Sequence, residues 1–479
     1  MPLSLVYPAN SLTGGFEVAN SCRFNRADSP YMHITPGSDG DLRKFTVSFW
    51  CKRGTLTTGS GTGRQVIFST ATNAAITFDG SNDTLAILED GGNALVPNRV
   101  FKDCSAWYHI VVAVDTEQGV AANRIKLYVN GVLETSFSTT CQTSQNADMG
   151  FGKGSEMMSV GRSEYDDNRH FDGYLAEFYY INDAQLAASD FGEFDEDSPS
   201  IFKPKEFEGS FGTNGFYLDF EDSANLGNDA NGGTDLTEVN LAAADQATDT
   251  PTNNFCTLNP LVMPTSTLPV ITNGNTNLVS QNASSKYFGG CGTFGLTAGK
   301  WYWEVKLTDI NSAGSLIGIS DRPEELARNN YDLAYFMAYG YGIKDGDGNI
   351  RNNTSGSQVD SSYGVSYTDN DIIGVHLDLD NNKLYYAKNG TLMNSGTGFT
   401  TTAVTNTNSG FWFPTITDTG TNAATWQVNF GGSSGFSISS AASDANGYGN
   451  FEYSPSGTFD SATKNFLAIC TKNLGSDGG

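Results

Sequence analysis

Positive charge is scarce in this chain. Lys and Arg number 27 against 53 Asp and Glu in 479 residues, a formal net charge of −26. A surface this acidic repels phosphate backbones and anionic lipid, so neither nucleic acid nor membrane is an expected partner. Histidine is scarcer still, at four. The seven cysteines, at 22, 51, 104, 141, 256, 291 and 470, include no CxxC pair. A zinc site is therefore not expected. The odd, scattered count reads as mostly buried free thiols, with disulfide pairing left open. There is no run of 18 consecutive apolar residues, so no helix is expected to span a membrane. The opening "MPLSLVYPANSLTGG" lacks the basic and apolar regions of a signal peptide. No Ser-His-Asp spacing and no phosphate-binding loop is present.

Glycine is abundant, at 54, and turn signals separate short apolar runs throughout. With 38% hydrophobic and 12% aromatic residues the chain is globular, and its length allows two or three cores. "KFTVSFWCKRG" alternates, placing Phe45, Val47, Phe49 and Cys51 on one face. "WYHIVVAVDT" does the same with Tyr108, Ile110, Val112 and Val114. In "NRIKLYVNGVLETSF", Ile125, Leu127 and Val129 lead into an Asn130-Gly131 turn. "MSVGRS" and "FDGYLAEFYYIN" add two strands. One short helix is expected over residues 183–192, capped by Asp183 and ended by Gly192. "GFYLDFED" reads as the last strand of a first domain spanning 1–224. Residues 225–254 are polar and rich in Asn, Asp, Gly and Thr, and read as a linker.

Strands resume at Phe255, and a second domain is expected over 255–445. "KWYWEVKLTDI", "SLIGISD", "YGYGIKDGDGNIR", "DIIGVHLDLDNNKLYYAKNG", "FWFPTITD" and "TWQVNFGG" follow at regular spacing, as in a sandwich or barrel. In the fourth stretch Ile373, Val375, Leu377 and Leu379 face one side, and His376, Asp378 and Asp380 the other. Residues 446–479 read as a Gly/Ser-rich tail with one strand, Phe466 to Cys470, that returns to pack on a neighbouring sheet, and a mobile "GSDGG" end.

Several residues are candidates for chemistry. Glu193 and Asp195 in "GEFDED" alternate like the carboxylates of a glycanase strand, but Ser198 stands where the second Glu is needed. Asp345, Asp347 and Asn349 open like a calcium loop, yet Gly356 occupies its closing Glu position. Asp79, Asn82 and Asp83, and Asp166, Asp167 and Asn168, are further candidate calcium ligands. Tyr335, Tyr339 and Tyr341 are candidate ligand-contact aromatics, with a core position the favoured alternative. Trp301, Trp303, Trp412 and Trp426 read as core by their alternation, and His109 as a buried or edge histidine. No catalytic, cofactor-binding or metal-binding residue is assigned.

"WYWEVKL", "IGIS", "YGI", "DIIGVHLDLDNNKLYYAKNG" and "FWFPTIT" occur in the order of a SPRY domain, the β-sandwich called B30.2 when extended. The segment 270–435 resembles that family, departing from it at Tyr386, with an extra residue before Asn389-Gly390. The resemblance implies protein or peptide binding through loops at one end, without catalysis. "FTVSFWCKRG", "WYHIVVAVDT", "IKLYVNGVLE" and "FDGYLAEFYYIN" resemble the concanavalin-A-like, or laminin-G-like, lectin jelly roll over residues 16–220. The fold class is thus all-β, two sandwiches in tandem. More narrowly, "FDGYLAEFYYINDAQLAASDFGEFDED", "GTNGFYLDFEDSANLGND" and "ADQATDTPTNNF" resemble predicted proteins of marine bacteriophage genomes. That likeness implies a non-enzymatic virion protein, a tail fibre or surface adhesin exposed on the particle, in contact with other virion proteins and a host-surface glycan or protein. An architectural capsid or tail decoration protein and a glycan-hydrolysing depolymerase are the alternatives. No heptad repeat suggests a stalk; the likeness to fibres implies a homo-trimer.

Overall fold

The computed structural model describes residues 15–56, 63–165, 169–262, 270–280, 289–310, 314–322, 340–352, 359–418 and 423–477. The chain is nearly all-β and divides into two compact units, Met1–Asn254 and Phe255–Gly479.

The first unit is a sandwich of two eight-stranded sheets. In one, the central strands are Ile125–Val129, Tyr108–Asp115, Lys44–Arg53, Gly173–Asn182 and Ser21–Phe24, paired in that order. In the other they are Gly92–Pro97, Leu85–Glu89, Ala75–Phe78, Gln65–Thr70, Met158–Val160 and Tyr31–Ile34. Period-two alternation sends Phe45, Val47, Phe49, Cys51, Ile110, Val112, Val114, Ile125, Leu127 and Val129 into the core between them. Asn130 and Gly131 turn the hairpin with φ of 47° and 80°.

The opposite face of the first sheet is also buried. Trp50, Trp107, Val111, Tyr174 and Tyr179 form a second apolar layer there, beneath Phe191, Phe202, Phe207 and Phe211. All ten residues of Gly173–Asn182 are consequently buried. The covering segment is not the expected helix. Asp183 adopts φ 75°, only a 3-10 turn forms at Ala188–Asp190, and Gly192 opens a strand instead of ending a helix. Packing of aromatics on the sheet outweighs the weak local helix preference.

Residues 225–254 belong to the sandwich, which corrects their reading as a linker. Leu226 and Leu236 join the core, Thr237–Val239 pairs with Tyr31–Ile34, and Gln246–Ala247 pairs with Ser21–Phe24. Their polar side chains satisfy their own backbone. Asp229, for example, accepts the N–H groups of Tyr217, Asn231 and Gly233.

The second unit pairs a nine-stranded with a six-stranded sheet. Lys300–Asp309, Ile372–Asp378 and Lys383–Lys388 are neighbours in the first; Phe413–Asp418, Ser315–Ser320 and Gly340–Lys344 are neighbours in the second. Trp301, Trp303, Ile373, Val375, Leu377, Leu379, Leu384, Tyr386, Trp412 and Trp426 fill the core. The outward face of the large sheet is again covered. Tyr302 and Tyr385 lie beneath Phe451, Phe459, Phe466 and Cys470, and His376 packs on Phe459 and Phe466. The strand expected within 466–470 does pack on this sheet, and the rest of residues 446–479 is a structural cover beside it instead of a tail. Leu467–Ala468 joins Lys300–Asp309 in parallel, and the helix Thr471–Asp477 takes in most of "GSDGG", whose last two residues lie outside the described ones. The seven cysteines are free thiols, six of them buried. Burial pushes Cys51 and Cys104 up to about 12, which leaves them protonated and inert. Among the described residues no helix is long and apolar enough to cross a membrane.

Candidate functional site

Glu193 and Asp195 lie on a two-stranded hairpin, Gly192–Phe194 with Phe202–Pro204, separate from both large sheets. Lys203 opposite them reaches both carboxylates, 3.3 Å from Glu193 and 3.6 Å from Asp195. Asp195 also accepts the N–H groups of Asp197 and Ser198 at 2.9 Å. Sharing one ammonium, the two carboxylates lock a hairpin instead of facing each other across a substrate cleft.

The oxygen-rich loops are committed in the same way. Asp83 is fully buried, with Oδ1 2.9 Å from Arg53 Nη1. Asn82 accepts the Thr84 hydroxyl at 2.8 Å. Asp345 accepts the Ser315 N–H at 3.1 Å, while Asp347 pairs with Lys344 at 2.9 Å and accepts the Asn349 N–H at 3.0 Å. Among the described residues no three His, Cys, Asp or Glu side chains converge as a metal site requires. Asp166, Asp167 and Asn168 lie outside the described residues.

Tyr341 is a core residue, as the favoured of its two readings had it, and not a ligand contact. It shares the inward face of Gly340–Lys344 with Ile343, packs on Phe399 and Trp412, and hydrogen-bonds to Thr402 through its hydroxyl. Tyr335 and Tyr339 lie outside the described residues. His109 is buried between Trp50 and Phe202, with Nε2 3.0 Å from Ser48 Oγ. Burial pushes it down to about 3, so it stays neutral and is no general base near pH 7.

Among the described residues, one recess open to a ligand lies at the strand ends of the first sandwich. Gln65–Thr70 and Ala75–Phe78 form a hairpin in which Gln65 opposes Phe78. This pairing brings Arg64, just before one strand, beside Asp79, Gly80 and Ser81, just after the other. Arg169 is delivered to the same place by a bridge between His170 and Val66, with its carbonyl accepting the Val66 N–H at 3.3 Å. Gly63, Arg64, Asp79, Gly80, Ser81 and Arg169 line an open notch of about 460 Å³, within the range of small-molecule sites. Gly80 packs so closely on Gly63 that an added Cβ would run into its backbone.

Two arginines line this notch of a molecule of net charge −26, and Asp79 is the acidic neighbour of Arg64. Arg64 Nε lies 3.9 Å from Asp79 Oδ2, and both side chains are about a quarter exposed. Partial burial raises the Asp79 carboxyl, but hydrogen bonds from Ser81 and the Arg64 charge outweigh that and hold it below its ordinary range. Planar guanidiniums at a partly shielded site suit bidentate recognition of a carboxylate or sulfate. Neither arginine belongs to a sequence motif, and of the charged residues here the sequence singled out Asp79 alone, as a candidate calcium ligand. A smaller recess of about 330 Å³, bordered by Leu186, Asp190, Lys205 and Phe207, lies in the aromatic cover; it offers one lysine among acidic groups.

Residues 26–189 match the concanavalin A-like lectin/glucanases superfamily, and residues 300–433 match the SPRY domain. Among solved structures the chain is similar to the SPRY domain of human HERC1, at 18% identity over 33% of this chain and 91% of that one, with a TM-score of 0.25. It is similar to the TRIM65 PSpry domain at 14% identity, over 36% and 89%, with a TM-score of 0.27. It is also similar to stonustoxin, at 16% identity over 36% of this chain and 27% of that one, with a TM-score of 0.27. No curated protein matches the chain.

Proposed function

From a concanavalin A-like lectin domain followed by a SPRY domain, we propose a non-catalytic binding protein that recognises an acidic host-surface glycan through the Arg64–Arg169 notch. The observation that carries this reading is the presence of two arginines in the lining of a loop-end recess of a strongly acidic molecule. The net charge disfavours anions at long range, so selectivity comes from short-range paired hydrogen bonds, with Asp79 orienting Arg64. The sharing of Lys203 by Glu193 and Asp195 favours binding over glycan hydrolysis.

We place the chain on the exposed surface of a bacteriophage particle, as a tail fibre or adhesin. That placement is supported by the likeness of most of residues 1–260 to predicted phage proteins. The test is retention of the purified full-length chain on an array of host-derived saccharides. Retention on carboxylated or sulfated sugars, lost with Arg64→Ala and with Arg169→Ala, is expected. Retention on none of them would leave the architectural role as the better reading.

A further inference from the structure

Lys52 is among the most completely buried side chains of the first unit, although lysine is among the costliest residues to bury. It sits near the end of Lys44–Arg53, on the face that also carries Trp50. Its Nζ is 2.7 Å from Asp249 Oδ2 and 2.8 Å from Asn254 Oδ1. Asp249 and Asn254 are themselves fully buried. A tight turn, in which Thr250 and Asn253 exchange backbone hydrogen bonds at 3.2 and 3.1 Å, sets them side by side against the lysine. Trp107 Nε1 donates to the second Asp249 oxygen at 3.0 Å, and Asn254 Nδ2 donates to the Ser105 carbonyl at 2.6 Å.

An ion pair would be complete with Lys52 and Asp249 alone. The third member is a primary carboxamide, an acyl group that an amine can attack. The nucleophile is thus held within hydrogen-bond distance of both the acyl group and the acid–base group, with all three buried, the arrangement that gives intramolecular reactions their high effective molarity.

We propose that Lys52 and Asn254 become joined by an intramolecular isopeptide bond once the first unit has folded. The Lys52 ammonium cedes a proton to Asp249, and both become neutral in the low-dielectric site. The amine lone pair adds to Cγ of Asn254. Asp249 protonates Nδ2 and takes a proton from the attacking nitrogen. The Cγ–Nδ2 bond breaks and ammonia leaves beside the Ser105 carbonyl. One C–N bond forms and one breaks, Asp249 ends protonated, and no oxidant or cofactor is consumed.

The bond closes a loop across a sequence separation of 202 residues, the range in which a cross-link most restricts the unfolded chain. It also anchors Asn254, the last residue of the first unit, to a central strand of its sheet. A pull on the chain at that exit would load a covalent bond instead of peeling away residues 246–254. This inference does not depend on the glycan-binding reading.

The test is intact-mass measurement of the denatured full-length chain, followed by proteolytic mapping. The expected result is a mass lower than the sequence mass by one ammonia, with the peptide containing Lys52 linked to the peptide containing Asn254. Asn254→Ala should show its full sequence mass, and Asp249→Ala should lower the cross-linked fraction. If either variant fails to fold, the wild-type mass and map still decide. A wild-type mass equal to the sequence mass overturns the proposal, as does an ammonia deficit that maps to another asparagine.

Discussion

The buried carboxylate of Glu304 accepts the backbone N–H of Tyr453 at 2.8 Å, across a sequence separation of 149 residues. It also accepts the N–H of Glu452 at 3.0 Å and hydrogen bonds from Tyr302 and Asn429. One side chain on a central strand thus fastens the segment that covers the outer face of the second sandwich. Glu177 occupies a comparable place in the first unit, buried on a central strand with Tyr179 and Tyr217 donating to it.

The latch carries a pH dependence. Burial raises Glu304 from 4.5 to about 7, against the lowering effect of its four hydrogen bonds. A raised carboxyl pKa means that the folded state holds a proton the unfolded chain has lost. The contribution is complete below about pH 4.5 and is lost as pH rises through about 7, at most about 3 kcal/mol. Glu304→Gln should flatten the fall in denaturation midpoint over that window, measured by urea unfolding at several pH values. An unchanged slope contradicts the assignment.

His376 works in the opposite direction. It is buried among the rings of Tyr302, Phe459 and Phe466, and burial pushes it from 6.5 down to about 3. Its neutral form contributes stability above 6.5 that is lost as pH falls through about 3. His376→Phe should therefore make the second unit less sensitive to acid than wild type. Thermal melting across the acid range reads the difference, and parallel curves count against it.

The cover itself can be removed. Phe466→Ala empties a fully buried ring site and should cost about 3–5 kcal/mol. Deleting 446–479 uncovers Tyr302, His376 and Tyr385 together and should give a chain that aggregates. Light scattering and circular dichroism check both. A soluble, fully folded deletion would restore the tail reading.

Gly80→Ala probes the notch without touching its charges. The new Cβ meets the Gly63 backbone, so the loop must shift and the two arginines separate. Saccharide retention should fall while the melting temperature changes little.

The inward faces of both sandwiches were legible because alternation is local. Ile373, Val375 and Leu377 could be assigned from spacing alone, and the structure places them in the core. The second buried faces were not. Tyr302, His376 and Tyr385 occupy positions that alternation assigns to solvent, and Phe451, Phe459 and Phe466 arrive from far along the chain without periodicity. Polar composition also misled over 225–254, because Asp and Asn there satisfy turns inside the fold. Tyr341 carried a usable signal, since it shares strand parity with Ile343. Arg64 and Arg169 carried none, being isolated residues united only by strand pairing.

The most direct test of the binding account is calorimetric titration of an acidic oligosaccharide into the full-length chain at low and high salt. Saturable binding is predicted at both salt concentrations, at least about tenfold weaker for both Arg64→Ala and Arg169→Ala. Equal affinity in wild type and both variants, or binding of neutral and acidic saccharides alike, would contradict it.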